Sequence, residues 1–229
     1  MRTMLETPAA RDWLLWQLAD SAFPVGGFAH SAGLEAGFQH RAVRGGADLS
    51  EYLRVALGQL VHASLPFVHA TFSQKRKFGD VDRDCDAFLS NHVANRSSRS
   101  QGRAYLSTAA QTFSCSELDR LQKELSQGEL PGHFAPVFGS IARILELEAA
   151  SASRLFVFTQ MRGWISAAVR LNIVGPIEAQ RIQCDLSREA DTAAAQFGAF
   201  AVEDAAQIAP LLDLWQGTQD RLYSRLFQS

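Results

Sequence analysis

The chain has 229 residues, of which 47% are hydrophobic and 20% charged, a balance that excludes a disordered protein. The formal net charge of −2 gives no indication of a nucleic-acid partner or an anionic membrane surface. The three cysteines form no CxxC pair, and neither a leader segment nor an apolar run of about 18 residues is visible. We therefore expect a cytoplasmic protein without a disulfide framework or a membrane helix.

Helix signals recur along the first half of the chain, whereas strand signals are poor. A short apolar helix is predicted over residues 11–21, and helical spacing resumes after a Pro-Val-Gly-Gly break. Asp48 and Glu51 have the spacing of a capping box, and Pro66 suits the first turn of a helix that continues to about Arg76. The segment "GDVDRD" predicts a charged break after that helix.

The second half of the chain continues the helical pattern. Two further helices follow the break, and Ser114 with Glu117 predicts a capping box at the start of the next one. "SQGELPGHFAP" is the clearest loop, and beyond it lie a long helix, "SASRLFVFTQMRGWISAAVRLNIV", and a last helix in which Pro210 marks a kink or restart. The pattern predicts an all-α, single-domain helical bundle of about ten helices over residues 1–229.

The residues that usually carry catalysis or bind metals do not form a recognisable motif. His62 and His69 are seven residues apart, about 10 Å along a helix, which is too far to share a metal directly. Gly33 and Gly37 form a GxxxG, which in a soluble helix favours close helix packing over a phosphate loop. The absence of a catalytic motif points away from an enzyme, but a site assembled from distant residues stays open.

The stretch "DSAFPVGGFAHSAGLEAGF" combines two aromatics with a turn. Pro24 disfavours helix at Phe23, and the two adjacent glycines allow backbone conformations that other residues avoid. These features explain a tight turn but not the two rings. Phe23 and Phe28 either pack into the core or form a partner surface.

The long helix carries a basic and aromatic stripe. Arg154, Phe158 and Arg162 recur at intervals of four residues and so share one face. This stripe is either a solvated rim or an interface, because arginine and aromatic residues are enriched at binding hot spots.

The C-terminal segment "QDRLYSRLFQS" is amphipathic if it is a helix. Arg221 and Arg225 are one turn apart, as are Leu222 and Leu226. Large apolar side chains are unfavourable in water, so the tail docks either onto its own bundle or onto a partner.

Three motifs together resemble the UreF family of urease accessory proteins. "LLWQLADSAFPVGGFAHSAGLEA" is similar to the family's N-terminal signature, "ISAAVRLNIVGPIEAQRI" to its second signature, and "LYSRLFQS" to its C-terminal signature. The resemblance implies an all-α dimeric scaffold rather than an enzyme, in which residues 219–229 form a partner-docking tail. It shifts our interpretation of the turn: we expect Phe28 at a protein surface and Phe23 buried.

The resemblance also implies partners. UreF-like proteins bind UreD, also called UreH, and the complex recruits UreG, a GTPase that carries nickel. The assembly acts on the urease apoprotein, where nickel is inserted, and UreF is thought to control the GTPase. The resemblance implies no cofactor for this chain itself, because nickel and GTP belong to UreG.

Individual residues acquire implied roles from the matching motifs. Phe28 matches an aromatic implicated in dimer and partner contacts, and Arg154 with Phe158 matches a basic and aromatic pair of similar role. Arg170 matches a basic residue linked to coupling of GTP hydrolysis, and Arg225 matches the tail arginine that holds UreD. The complete set of expected partner-binding residues is Phe28, His30, Ser31, Glu35, Arg154, Phe158, Arg170, Arg221, Tyr223, Arg225, Leu226 and Phe227.

Two positions depart from the family pattern. Gln219 stands where the family often has histidine, and His30 stands where many members have tyrosine. The alternative to a scaffold is an all-α enzyme with a buried pocket of arginine and histidine, which predicts a deep cavity with perturbed ionisable groups. For the scaffold, we expect that deleting the residues after Gln219 abolishes UreD binding and leaves folding largely intact.

Overall fold

The computed structural model describes residues 8–24 and 26–229, and within these ranges it contains α-helices and short 3-10 turns but no β-strand. The twelve α-helices of the described residues are α1 (Pro8–Ala19), α2 (Leu34–Gln39), α3 (Gly46–Ala63), α4 (Leu65–Phe72), α5 (Phe78–Phe88), α6 (His92–Thr112), α7 (Ser116–Ser126), α8 (Phe134–Ile144), α9 (Ala149–Arg170), α10 (Pro176–Asp185), α11 (Ser187–Ala195) and α12 (Pro210–Thr218). The prediction of an all-α bundle is confirmed, with twelve helices where about ten were expected.

Aromatic rings from α6, α8 and α9 fill the centre of the bundle. Tyr105 stacks on Phe138 with centroids 5.7 Å apart, and Phe134 stacks on Phe156 at 5.8 Å. Phe138 and Phe156 complete the cluster edge-to-face at 5.0 Å. Fully burying one such side chain contributes about 1.5–3 kcal/mol, so this cluster fixes how the three helices pack together.

Helices α4 and α8 pack with their backbones almost in contact. A Cβ atom on Gly139 would overlap the carbonyl oxygen of Val68, so only glycine fits at this crossing. The Thr71 hydroxyl donates a hydrogen bond to the carbonyl of Pro136 at 2.9 Å. Pro66 lies in the first turn of α4 and Pro210 begins α12, as the sequence predicts.

The predicted charged break at "GDVDRD" is wrong, because this segment lies inside α5. Val81 and Cys85 are buried one turn apart on one face of that helix. Asp82 is also buried, and its carboxylate accepts hydrogen bonds from the backbone N–H groups of Gly132 and His133 at 2.7 and 2.8 Å. The Asp82 carboxylate, one of the charges that predicted a break, therefore binds the 127–133 loop to α5.

Both predicted capping boxes are also wrong. Helix α3 begins at Gly46, so Asp48 lies in its first turn, where its carboxylate accepts hydrogen bonds from the backbone and side chain of Arg44. Helix α7 begins at Ser116 after Cys115, which makes no side-chain cap. Helix α3 starts two residues before the predicted cap Asp48, and α7 starts two residues after the predicted cap Ser114. The predicted capping side chains therefore do not bond the free backbone N–H groups of the first helical turn.

His62 and His69 do not share one helix face. They lie on α3 and α4, whose axes differ by 41°, and pack against the rings of Phe200 and Phe197 at 4.5 and 5.1 Å. Among the described residues, none of the helices taken singly is long and apolar enough to cross a membrane, and α3 with α4 meets that length only as a bent pair.

Candidate functional site

The turn after α1 presents one phenylalanine to the core and the other to solvent. Phe23 is buried against the rings of Tyr105 and Phe113, with centroids 5.9 and 6.2 Å away. Phe28 lies on the 3-10 turn Gly27–Ala29 and is 70% exposed. The expected placement of the two rings is therefore confirmed, while the partner role of Phe28 stays a prediction.

Arg170, at the end of α9, joins this turn to the C-terminal tail. Its guanidinium carbon lies 3.6 Å from the centroid of the Phe28 ring and 4.3 Å from that of Phe227. The guanidinium also donates a hydrogen bond to the backbone carbonyl of Phe28. Stacking of a planar cation between two rings fixes both segments, and lysine could not reproduce that geometry.

Glu35, on α2, anchors the tail from the other side. Its side chain is 2% exposed, and its two carboxylate oxygens accept hydrogen bonds from three donors. The donors are the backbone N–H groups of Leu226 and Phe227, at 2.6 and 3.1 Å, and the Gln219 amide at 2.6 Å. A buried carboxylate is tolerated only when its lone pairs are bonded, so Glu35 requires the tail in this position.

Gln219 acts in this arrangement as a donor. It is fully buried, and its amide oxygen has no hydrogen-bond partner in the described part of the chain. A neutral histidine ring also carries one N–H donor, so the histidine common in the family could make the same contact with Glu35.

Two glycines let α2 approach α12 closely enough to build this site. A Cβ atom on Gly33 would lie 3.0 Å from the backbone nitrogen of Gln216, and one on Gly37 would lie 3.3 Å from the Trp215 ring. Gly33 also has a φ of 92°, which side chains rarely adopt. The GxxxG therefore serves close helix packing, as predicted.

The end of the tail pairs with the backbone that follows the turn. The N–H of Gln228 donates to the carbonyl of Ala29 at 2.8 Å, and the N–H of Ser31 donates to the carbonyl of Ser229 at 2.5 Å. The His30 ring nitrogen Nδ1 lies 2.5 Å from the Ser229 hydroxyl. Burial, and then the nearby charge of Arg96, lowers the pKa of His30 to about 4, so this ring is neutral at pH 7.

The tail does not form the helix in which its side chains would be amphipathic. After the 3-10 turn Gln219–Arg221 the chain is not helical, because Glu35 and Ala29 take the backbone donors that a helix would use. Phe227 is 4% exposed, so the tail docks onto its own bundle. Tyr223 is fully exposed, and Arg221 and Leu226 also face solvent, so the docked tail still presents apolar and basic groups outward.

Asp220 binds the tail arginine to α6. Its carboxylate accepts three hydrogen bonds from Arg96, at 2.9, 3.1 and 3.2 Å, and one from Arg225 at 3.2 Å. The hydrogen bond with Arg96 holds the pKa of Asp220 below its usual value. Arg225 keeps about half of its side chain exposed, so a partner carboxylate can reach it.

The basic and aromatic stripe on α9 divides into two parts. Arg154 is exposed and forms an ion pair with Asp191 of α11 at 2.8 Å, whereas Arg162 donates to the carbonyl of Ala19 at the end of α1. Burial lowers the pKa of Arg162. Phe158 is half-buried between them, with the Arg162 guanidinium 5.8 Å from its ring.

The structure therefore brings most, but not all, of the predicted residues together. Phe28, Arg170 and Glu35 meet at the tail, which we define with residues 219–229 as the tail site. Arg154 precedes Arg170 by sixteen residues of continuous helix, about 24 Å. The Arg154 and Phe158 pair thus forms a second, separate face.

Comparison with known proteins gives one consistent result. The sequence profile of the UreF family matches residues 43–187. The chain is 37% identical over 222 residues to the urease accessory protein F of Oryza sativa subsp. japonica, an alignment that covers 94% of this chain and 84% of the rice protein. It is 34% identical over 230 residues to the urease accessory protein F of Arabidopsis thaliana, with 99% and 96% covered.

The chain belongs to the UreF family. The urease accessory protein UreF of Trichodesmium erythraeum is also similar, at 26% identity over 232 residues with 98% of this chain and 99% of the relative covered. The resemblance inferred from the three motifs is confirmed at the level of the family.

Sequence reasoning missed two exposed tryptophans of this UreF-family chain. Trp13 and Trp16 lie on α1, are mostly exposed and contact each other edge-to-face at 4.9 Å. Leu14 and Leu18 of the same helix are buried. The signal was present, since two tryptophans three residues apart share the face opposite the buried leucines.

A pocket of about 330 Å³ beneath the turn contains the arginine and histidine side chains that the enzyme alternative predicts. The three are His30, Arg162 and Arg170, and each already bonds a protein group: Ser229, the Ala19 carbonyl and the Phe28 carbonyl. These basic groups thus hold the turn and the tail in place. Among the described residues, histidine, cysteine and carboxylate side chains do not form a cluster of three that could hold a metal.

Proposed function

We propose that this protein is a non-catalytic scaffold of urease maturation that binds UreD (UreH) and recruits the GTPase UreG to the urease apoprotein. In this role it couples GTP hydrolysis by UreG to nickel insertion, while UreG carries both nickel and GTP. The protein then needs no cofactor of its own and acts in the cytoplasm. Membership of the UreF family supports the proposal, because its relatives are urease accessory proteins.

The tail site is the observation that carries the proposal. It displays the exposed ring of Phe28 and the solvent-facing side chains of Tyr223, Arg225 and Leu226 on a buried framework of hydrogen bonds. Aromatic and arginine side chains dominate binding hot spots, and a surface that is already ordered loses less entropy on binding. This combination suits the docking of a partner protein rather than the conversion of a substrate.

A homodimer is part of the proposal. Helices α1 and α9 run side by side in the same direction. Arg11 of α1 pairs with Glu148 where both helices begin, and Arg162 of α9 binds the carbonyl of Ala19 where α1 ends. The α9 face with Phe158 and the exposed ring of Phe28 supply apolar area for a second copy. Sedimentation velocity of the isolated protein tests this part separately.

Size-exclusion chromatography with purified UreD and UreG from the same source tests the scaffold. We expect co-elution with UreD, and addition of UreG to that complex when a guanine nucleotide is present. Failure to co-elute with UreD under every nucleotide condition would overturn the proposal.

A further inference from the structure

Helix α6 carries a row of basic side chains that none of the family motifs includes. His92, Arg96, Arg99 and Arg103 are spaced by four, three and four residues, so they share one face over about 16 Å, and all four are exposed. We call these four residues the α6 ridge. The twenty-one residues of α6 contain no aspartate or glutamate.

The α6 ridge is unfavourable for the helix that carries it. Like charges three or four residues apart destabilise a helix by about 0.2–0.5 kcal/mol per pair, and basic groups near the N-terminus oppose the helix dipole. The neighbouring α7 has the ordinary pattern, with Glu117, Asp119 and Glu124 interspersed among its basic residues. A row of arginines without acids on the same helix is therefore not explained by helix stability.

The surroundings of the α6 ridge neutralise it only in part. Asp220 binds Arg96, and the backbone carbonyls of Leu130 and Pro131 accept hydrogen bonds from Arg103 at 2.8 and 2.9 Å. Carbonyl groups leave the charge of Arg103 in place. Arg99 makes no ion pair or hydrogen bond within the described part of the chain. Burial opposes ionisation of Asp86 on α5, but hydrogen bonds from Asn95 and His133 lower the pKa of that carboxyl group, and the charge of Arg99 adds a small effect in the same direction.

The tail site extends the α6 ridge. Arg225 shares the Oδ1 atom of Asp220 with Arg96, so the tail arginine lies beside the row on α6. Two carboxylates, Asp86 and Asp220, lie beside four arginines in this region: Arg96, Arg99, Arg103 and Arg225. The local charge is therefore positive, although the net charge of the chain is −2. Four of the 22 lysine and arginine residues of this slightly acidic protein therefore lie together on this face.

We propose that the α6 ridge, together with Arg225, docks a carboxylate-rich surface of a partner protein. Each arginine can accept a carboxylate in bidentate geometry, as Arg96 already does with Asp220. Complementary charge on a partner raises the association rate and selects the orientation of docking. The role of the α6 ridge rests on the proposed function only for the choice of partner proteins, because the basic surface itself is seen in this chain without any partner.

A protein partner fits better than a nucleic acid. The row spans about 16 Å, and the carboxylates of Asp86 and Asp220 beside it would repel a continuous phosphate backbone. A protein surface can instead place single carboxylates opposite Arg99 and Arg103 and avoid Asp86 and Asp220. Binding of a single-stranded DNA of similar length is therefore the contrasting arm of the test.

The direct test measures fluorescence anisotropy of a labelled polyglutamate peptide of about 20 residues, at about 25 and about 300 mM NaCl. We expect binding at low salt that weakens at high salt, and a loss of about tenfold in affinity for the Arg99→Glu, Arg103→Glu double variant. Arg188→Glu on α11, another exposed arginine, is the matched control and should bind like wild type. An Arg99→Gln, Arg103→Gln variant replaces the double reversal if circular dichroism shows that the latter is unfolded.

Equal affinity of the double variant and the Arg188→Glu control would overturn the proposal, as would tighter binding of a labelled 20-mer DNA than of the peptide. The same variants are then mixed with UreD, UreG and urease apoprotein. If wild type binds none of these proteins, the proposed function fails, while the peptide measurement still decides the role of the α6 ridge.

Discussion

The guanidinium of Arg170 lies between the rings of Phe28 and Phe227, at 3.6 and 4.3 Å from their centroids. These two rings belong to segments about 200 residues apart in sequence, the turn after α1 and the C-terminal tail. One side chain at the end of α9 thereby links an exposed ring to a buried one. Arg170 therefore couples the position of the tail to the position of Phe28.

Replacing Arg170 by alanine should loosen both segments. Two cation–π contacts and a hydrogen bond are lost, and we expect the free energy of unfolding to fall by about 1–2 kcal/mol in urea titrations. Arg170→Lys keeps the charge but not the planar stack, so it should recover less than half of the loss. Wild-type stability in Arg170→Lys would show that the stacked geometry contributes nothing.

Glu35→Gln should release the tail. The glutamine keeps one acceptor oxygen but brings an NH₂ group toward the N–H donors of the tail, and we expect a loss of about 2–4 kcal/mol. Limited proteolysis should then cut within residues 222–229 faster than it does in wild type. Glu129→Gln, at an exposed position, is the control and should change neither measurement.

The two phenylalanines of the turn should behave in opposite ways. Phe23→Ala removes a buried ring and should lower the free energy of unfolding by about 3–5 kcal/mol. Phe28→Ala should change stability by less than about 1 kcal/mol, yet weaken binding of UreD or self-association by about tenfold or more. Calorimetry of both variants measures the stabilities and the affinity for UreD. A Phe28→Ala variant with wild-type affinity and wild-type self-association would refute the prediction for this ring.

His30 should make stability depend on pH. Its pKa in the folded protein is about 4, below that of an exposed histidine, so the unfolded chain binds the proton first as the pH falls. Stability contributed by neutral His30 is present above about pH 6.5 and is lost progressively toward pH 4. His133, whose pKa burial also lowers, acts in the same direction. Thermal unfolding of wild type and His30→Gln should therefore differ in slope across this window, and parallel curves would contradict the assignment.

Local chemistry allowed part of this structure to be predicted from sequence. Pro66 and Pro210 begin helices because proline needs no N–H donor there, and the Gly33–Gly37 spacing serves close packing. The burial of Phe23 and exposure of Phe28 followed from the turn together with the family resemblance.

The remainder depends on contacts between residues distant in sequence. Glu35 meets Leu226 across 191 residues, and no periodicity indicates that a glutamate in a short helix will order a tail. The sequence pattern assigns Asp82 to a charged break because its partners, two backbone N–H groups, leave no mark in the sequence. The α6 ridge has a regular spacing in the sequence that none of the family motifs includes, and its neighbour Arg225 lies more than a hundred residues away.

The docked tail also changes one expectation drawn from sequence. Deleting the residues after Gln219 should not leave folding largely intact, because it would remove two of the three donors from buried Glu35 and expose the pocket under Phe227. We expect this deletion to lower the free energy of unfolding by about 2–4 kcal/mol, as well as to abolish UreD binding. Arg225→Ala, whose side chain is half exposed, separates the two effects by weakening binding with little change in stability.

The most direct test of the scaffold is nickel loading of urease in a mixture of purified apoprotein, UreD, nickel-loaded UreG and GTP. Measured as bound nickel per active site, loading should require this protein, should fall strongly with Arg225→Ala and should be unaffected by Arg188→Glu. Equal loading in its presence and absence would contradict the account.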